Sequence, residues 1–418
     1  MALNDNASPQ FATGSELTAL FAKMSPFNPN LSLKAEEDRQ TILAANANFP
    51  FEIQIGAYAA AASSKGGSPI IVQFSGGALT VAGRGLRSAG GLASSGLSRH
   101  DVLRLGTRLA VNVANTYLEM YRPPFVALGL DHFAVPDLNK VLFAEGSREQ
   151  PVPPCPSSDE IRRSLKDASS SAAAWGVPEP TAEDMAAWET YLCSPQYRDA
   201  VEGFLISIRE MKPAWAMIDT EELPPVLNFA ITKEVCELAK KEDPDIVIEA
   251  EYGATGQAGD HTGYTKLRGD KLTAFAREVA GFVKYTGARG ISYPIGMEHA
   301  APSGEKHDPD ILRLEVVQRE ILTTVGTYVP FAQHGGTGAS KVAKGLVGKN
   351  NVNTHFLVTG ARSLATYVAT NGEGIAYGKK SVCGPSMYVS SGRAIAEACT
   401  EKIKECGTYG YLGEIPFR

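Results

Sequence analysis

Seven histidines are spread along this 418-residue chain, and three of them end short apolar runs. They are His132 in FVALGLDH, His299 in GISYPIGMEH and His334 in YVPFAQHGG. Each run is rich in β-branched or aromatic residues and is closed by turn residues. Each therefore reads as a buried strand that delivers an imidazole at its C-terminal end. In a parallel α/β barrel that end is the functional face, where side chains from different strands converge. Three imidazoles with a fourth position left open make a catalytic rather than a structural zinc site, and imidazole ligands favour zinc over cobalt or manganese. A single such histidine is more often a satisfied core residue, but three at equivalent places point to a site.

The elements that must position them follow from the apolar pattern. Eight strand-like runs can be counted: EIQIGAYA, SPIIVQFS, PFVALGLDH, AWAMID, DIVIEAEYG, GISYPIG, YVPFAQHG and NNVNTHF. Helix-patterned segments separate most of them. DKLTAFAREVAGFVKYTG places Leu272, Phe275, Ala276, Val279 and Val283 on one face, with Asp270 as N-cap and Gly287 beyond its end. Ile231, Val235, Leu238 and Ala239 line one face of the helix after the fourth strand. Eight apolar strands alternating with helices predict a closed (β/α)8 TIM barrel. Residues 1–48 read as a helical extension over its bottom, and 49–418 as the barrel. A helical insert of about 145–210 precedes the fourth strand, longer than a crossover needs. In it Ser157 and Glu160 form a capping box, and another helix begins near Thr181.

Bulk composition narrows the classes. A net charge of −6 with no block of like charge argues against nucleic-acid binding. No apolar stretch is long enough to span a bilayer, and MALNDNASPQF has neither the basic segment nor the apolar run of a secretory signal. The six cysteines form no CxxC pair and read as reduced thiols in a cytoplasmic protein.

From about residue 50 to 145, and again from about 210 to 395, the motifs resemble those of the zinc-dependent class II fructose-bisphosphate and ketose-bisphosphate aldolases. IGAYAAAASSKGGSPIIVQFSGGAL is similar to the family's first βαβ unit. LGLDH, ELPPVLNFAITKEVCELAKK, IEAEYGATG, GMEH, HGGTG and KNNVNT follow in the family's order. The resemblance implies reversible cleavage of a ketose (bis)phosphate, with fructose 1,6-bisphosphate the leading substrate, to dihydroxyacetone phosphate and an aldehyde through a zinc-stabilised enediolate. It implies His132, His299 and His334 as zinc ligands, with room for a second divalent or a monovalent cation nearby. Asp131 corresponds to the acid/base on the aldehyde-derived oxygen. Adjacent strand residues point to opposite faces, so Asp131 and His132 can share a site only where the strand ends or bulges. Glu251 and Asp219 match carboxylates that serve either as alternate ligands or as groups orienting a histidine. Gly335, Gly336 and Thr337, with Asn353 and Thr354, fall where barrels bind phosphate, and Asn351 matches a contact to the enediolate. A homo-oligomer, dimer or tetramer, is also expected.

The chain departs from the family in two loops. Gly253-Ala-Thr-Gly-Gln-Ala-Gly-Asp260 has Ala258 and Gly259 where the family carries two glutamates, one of which removes the carbon-bound proton. Asp260, with His261 second, is the remaining candidate base. After His299 the usual HG-x-Y-K is replaced by Ala-Ala-Pro-Ser-Gly. Lys379, Lys380 and Arg393 are candidates for reading a far phosphate. Two other readings stay open: a zinc-dependent sugar or sugar-acid epimerase or isomerase, and a non-catalytic sugar-phosphate-binding barrel.

Overall fold

The computed structural model describes residues 10–27, 39–64, 66–85, 97–142, 155–253, 266–297 and 307–413. Eight parallel strands form the barrel: β1 (Ile42–Asn46), β2 (Ile70–Ser75), β3 (Val126–Ala134), β4 (Trp215–Asp219), β5 (Val247–Glu251), β6 (Gly290–Ser292), β7 (Ala332–Gln333) and β8 (Lys349–Val352). Their order is β6-β5-β4-β3-β2-β1-β8-β7. A parallel bridge between Ile291 and Phe331 joins β6 to the residue before β7 and brings the two sheet edges together. Helices cover the outside. The eight-stranded TIM barrel expected from the apolar pattern is the observed fold.

One strand sits elsewhere than the pattern suggested. EIQIGAYA is not the first strand; it folds as two short helices, Phe51–Gln54 and Ala57–Ser63. β1 is the preceding Ile42–Asn46, inside the stretch read as a helical extension over residues 1–48. The reason is composition: ILAAN is alanine-rich and short, so its strand character comes from parallel pairing to β2 and β8 and not from intrinsic preference. The helical part of that stretch is Gly14–Met24, opened by a Thr13/Glu16 capping box. Its Leu17, Leu20, Phe21 and Met24 pack on Ile42, Ile71, Ala127 and Trp215 and close the barrel's lower end.

The insert is helical as expected, with helices Ser158–Ala174, Ala182–Cys193 and Pro195–Met211. The Ser157/Glu160 capping box forms, and Thr181 caps the second helix. Pro195–Met211 is tied to helix Arg99–Tyr121 by ion pairs from Arg108 to Glu210 and from Arg99 to Asp199, with His100 Nε2 2.8 Å from the same carboxylate. Helix Asp270–Thr286 buries Leu272, Ala276, Val279 and Val283 and ends at left-handed Gly287; Gly269, not Asp270, is its N-cap.

Side chains of period two fill the barrel interior. Low in the barrel the layer is apolar, but the next layer is polar: Asn46, Gln73, Glu249 and Lys349 are each buried. Trp215 lies among them, and a Cβ on Gly290 would collide with its ring, so glycine there is what admits the indole. Buried charge is tolerated only where it is paired and hydrogen-bonded. This layer meets that condition, as its bonds below show.

Candidate active site

The upper mouth is assembled from strand ends. β3 brings Asp131 and His132, and the requirement that the strand bulge there is met. His132 has φ 45°, and the register of β3 with β4 shifts between Leu130 and Phe133. The left-handed residue turns the imidazole inward, so both neighbours face the mouth. β4 ends in Asp219, β5 in Glu251, and β7 runs directly into His334.

The two imidazoles point at each other. His132 Nε2 and His334 Nδ1 are 3.1 Å apart. The other nitrogen of each ring is held by a carboxylate: His132 Nδ1 by Asp219 Oδ2 at 3.0 Å, and His334 Nε2 by Glu249 Oε1 at 2.7 Å. Metal-ligating histidines have this carboxylate–imidazole pattern, in which the outer bond fixes the ring and its tautomer. Two nitrogens bound tetrahedrally at about 2.0–2.1 Å from zinc would lie about 3.3 Å apart. The observed spacing fits a shared metal with little movement.

Electrostatics agree. Burial alone would lower the His132 pKa, but Asp131, Asp219 and Glu251 outweigh it and raise it from 6.5 to about 10. The pocket thus favours positive charge at this nitrogen pair, carried by a proton or a cation. Burial would raise Asp219, yet the His132 bond holds it below the ordinary range. Burial would likewise raise Glu249, but Lys349 and His334 keep it well below that range. Glu251 moves the opposite way, pushed well up by burial and by the neighbouring Asp219 charge.

Asp131 is 2 % exposed and accepts from Asn46 Nδ2 at 2.7 Å and from Asn351 Nδ2 at 3.1 Å. Asn351 Oδ1 is buried with no hydrogen-bond partner among the described residues. In the β7–β8 loops, Gly335 has φ 68° and Thr337 Oγ1 accepts from the His355 N–H. The Gly336 N–H donates to Asn351 O at 3.1 Å, and a Cβ there would collide with Asn350 and Asn351. Gly336 is thus needed for close packing against β8 as much as for any anion. Asn353 accepts from Asn48 Nδ2 at 2.8 Å, and Thr354 begins the helix Thr354–Ala376.

The structure thus brings together Asp131, His132, Asp219, Glu251, His334 and Asn351. His299 lies in 298–306, and Asp260 and His261 lie in 254–265, outside the described residues. Among the described residues no group of three His, Cys, Asp or Glu side chains is placed to hold a metal ion. Asp219 stands behind His132, which is the orienting one of the two roles considered for it. Asn46, Asn48, Gln73, Trp215, Glu249 and Lys349 were not anticipated. The signal for Glu249 was present in VIEAE, where two glutamates two residues apart must share one face of an otherwise apolar strand.

Fold and mouth together define a parallel (β/α)8 barrel whose C-terminal face carries carboxylate-backed histidines. Residues 207–411, just under half of the chain, match the family model described as Fructose-bisphosphate aldolase class-II. Among solved structures, the chain is similar to a fructose-bisphosphate aldolase from Campylobacter jejuni, with TM-score 0.61 and 15 % identity over 98 % of this chain and 99 % of that one. It is also similar to the YdjI aldolase from Escherichia coli K12, with TM-score 0.48 and 17 % identity over 89 % and 94 %. At such identity the first likeness bears on fold alone. No curated protein matches the chain. No helix among the described residues is long and apolar enough to cross a membrane.

Proposed function

We propose that this protein is a metal-dependent aldolase that reversibly cleaves a ketose phosphate, with fructose 1,6-bisphosphate the first substrate to try. The observation that carries this reading is the facing pair His132 Nε2 and His334 Nδ1, each backed by a carboxylate. His132, His334 and His299 would hold zinc, with Glu251 beside them. Bound there, zinc supplies a Lewis acid for the ketose carbonyl.

The chain's own residues do the rest. Asp131, held by two donors, is oriented to give and take the proton on the oxygen that becomes the aldehyde. Asn351 presents its free carbonyl oxygen to the substrate's hydroxyl groups. The loop Gly335–Thr337 and the N-terminal turn beginning at Thr354, with Asn353 ahead of it, are suited to a phosphoryl group, because a helix N-terminus attracts anions. Asp260, with His261 second, is the group assigned to removal of the carbon-bound proton. A homo-oligomer is part of the same proposal, supported by Tyr377, Tyr388 and Val389, exposed beside helix Thr354–Ala376 and on helix Pro385–Glu405, and the cytoplasm is proposed as its compartment.

The test is a coupled NADH assay on a panel of ketose mono- and bisphosphates, with and without zinc. Turnover should vanish on chelation and return with zinc, and phosphoglycolohydroxamate should inhibit competitively and tightly. Full activity in metal-free protein, or a lysine adduct trapped by borohydride, would overturn the mechanism. Equal turnover of a dephosphorylated ketose would overturn the substrate class.

A further inference from the structure

Below the mouth, Lys349 from β8 is fully buried, and two chains of hydrogen bonds leave its ammonium. One runs through Glu249. Lys349 Nζ lies 2.8 Å from Glu249 Oε2, which also accepts from Trp215 Nε1 at 2.5 Å, so Glu249 Oε1 is the oxygen left to meet His334 Nε2. The ammonium also stands 4.9 Å over the Trp215 ring. The other chain runs through amides. Lys349 Nζ donates to Gln73 Oε1 at 3.1 Å, Gln73 Nε2 to Asn46 Oδ1 at 2.7 Å, and Asn46 Nδ2 to Asp131 Oδ2 at 2.7 Å.

Lysine is donor-only, so it fixes which way every group beyond it must face. With an oxygen of Gln73 turned to Lys349, the amide nitrogen must face Asn46, and the Asn46 nitrogen must then face Asp131. Through Glu249, the carboxylate demands a proton on His334 Nε2, which leaves Nδ1 bare toward His132. We propose that Lys349 is a positioning residue that sets the polarity of both chains. By holding Glu249 as a carboxylate it selects the ligand tautomer of His334 on one side, and through the amides it presents a donor to Asp131 on the other. This rests on the reading of His334 as a ligand and of Asp131 as the acid/base. A purely structural buried ion pair would need neither consequence, since such pairs are often replaceable at no cost in stability.

Glutamine at 249 separates the cases. Two donors, Lys349 and Trp215, already face Oε2, so the amide carbonyl of Glu249→Gln must turn to them and its NH2 to His334. The His334 proton should then move to Nδ1. The experiment is 15N-imidazole NMR of the full-length zinc-free protein, with zinc affinity measured in parallel by chelator competition. In the wild type His334 should show one tautomer, protonated on Nε2. In Glu249→Gln it should be protonated on Nδ1, with zinc affinity at least tenfold lower. In Lys349→Met the buried Glu249 loses the ammonium 2.8 Å away and takes up a proton, so it can donate to Nε2 as well as accept, and the single tautomer should give way to a mixture. A wild-type His334 protonated on Nδ1 would overturn the proposal without any variant. So would an unchanged His334 spectrum in either variant that folds. Failure of the wild type to bind zinc while the tautomers behave as stated would instead remove the metal reading and leave the positioning role standing.

Discussion

Replacing Asp219 by asparagine keeps shape and removes one charge from behind His132. The carboxylate accepts from Nδ1 at 3.0 Å, and it is one of three carboxylates that raise that imidazole's pKa to about 10. A hydrogen bond involving a charged group contributes about 1.5–3 kcal/mol and a neutral one about 0.5–1.5. The exchange should therefore cost about 1–2 kcal/mol of the preference for positive charge at Nε2. That corresponds to about 5–30-fold in zinc affinity and to a fall of about one unit in the His132 pKa. Both effects come from the same charge, so they must move together. Chelator competition reads the first, and an NMR titration of the zinc-free protein reads the second. If zinc affinity stays within about threefold of wild type while His132 titrates unchanged, the orienting role is wrong. If affinity falls as far as in His132→Ala, Asp219 is itself a ligand.

Four further outcomes are expected. The His132 pKa lies above its unfolded value, so its contribution is complete below pH 6.5 and is lost as pH rises toward about 10. The zinc-free protein should accordingly melt lower at pH 10 than at pH 7, and Asp219→Asn should shrink that difference; an equal fall in both proteins would refute it. Helices Gly76–Arg84 and Arg99–Tyr121 cross at Gly83 and Gly106, where a Cβ on either would collide with backbone of the other helix. Gly106→Ala should therefore destabilise by about 1–3 kcal/mol in urea titrations, and a change under about 0.5 would contradict the crossing. Gly336→Ala should push the loop after β7 off Asn351 and reduce turnover about tenfold or more with zinc content unchanged, as metal analysis beside kinetics would show. Asp260→Asn should slow exchange of the carbon-bound hydrogen of dihydroxyacetone phosphate into heavy water by about two or more orders of magnitude. Near-normal exchange would clear Asp260 and move the search to His261.

The sequence by itself determined the barrel, the helical insert with its caps, and the strands that carry His132 and lead into His334. These features are local: apolar runs of strand length, capping residues at fixed offsets, and a histidine placed next to a turn. Local pattern failed at β1, because Ile42–Asn46 is a strand only by virtue of pairing on both sides with β2 and β8. That misplacement hid Asn46 and Asn48. Tertiary structure alone decided that His132, one residue from Asp131, turns inward, since a left-handed φ and a bulge leave no mark in LGLDH. It also decided the partner of each imidazole. Glu249 lies 85 positions from His334, and Lys349 lies 276 from Gln73, yet closing the ring of strands makes them neighbours. In an interior where unpaired charge is costly, such contacts are fixed by which strands stand opposite one another, and no stretch of sequence holds that information.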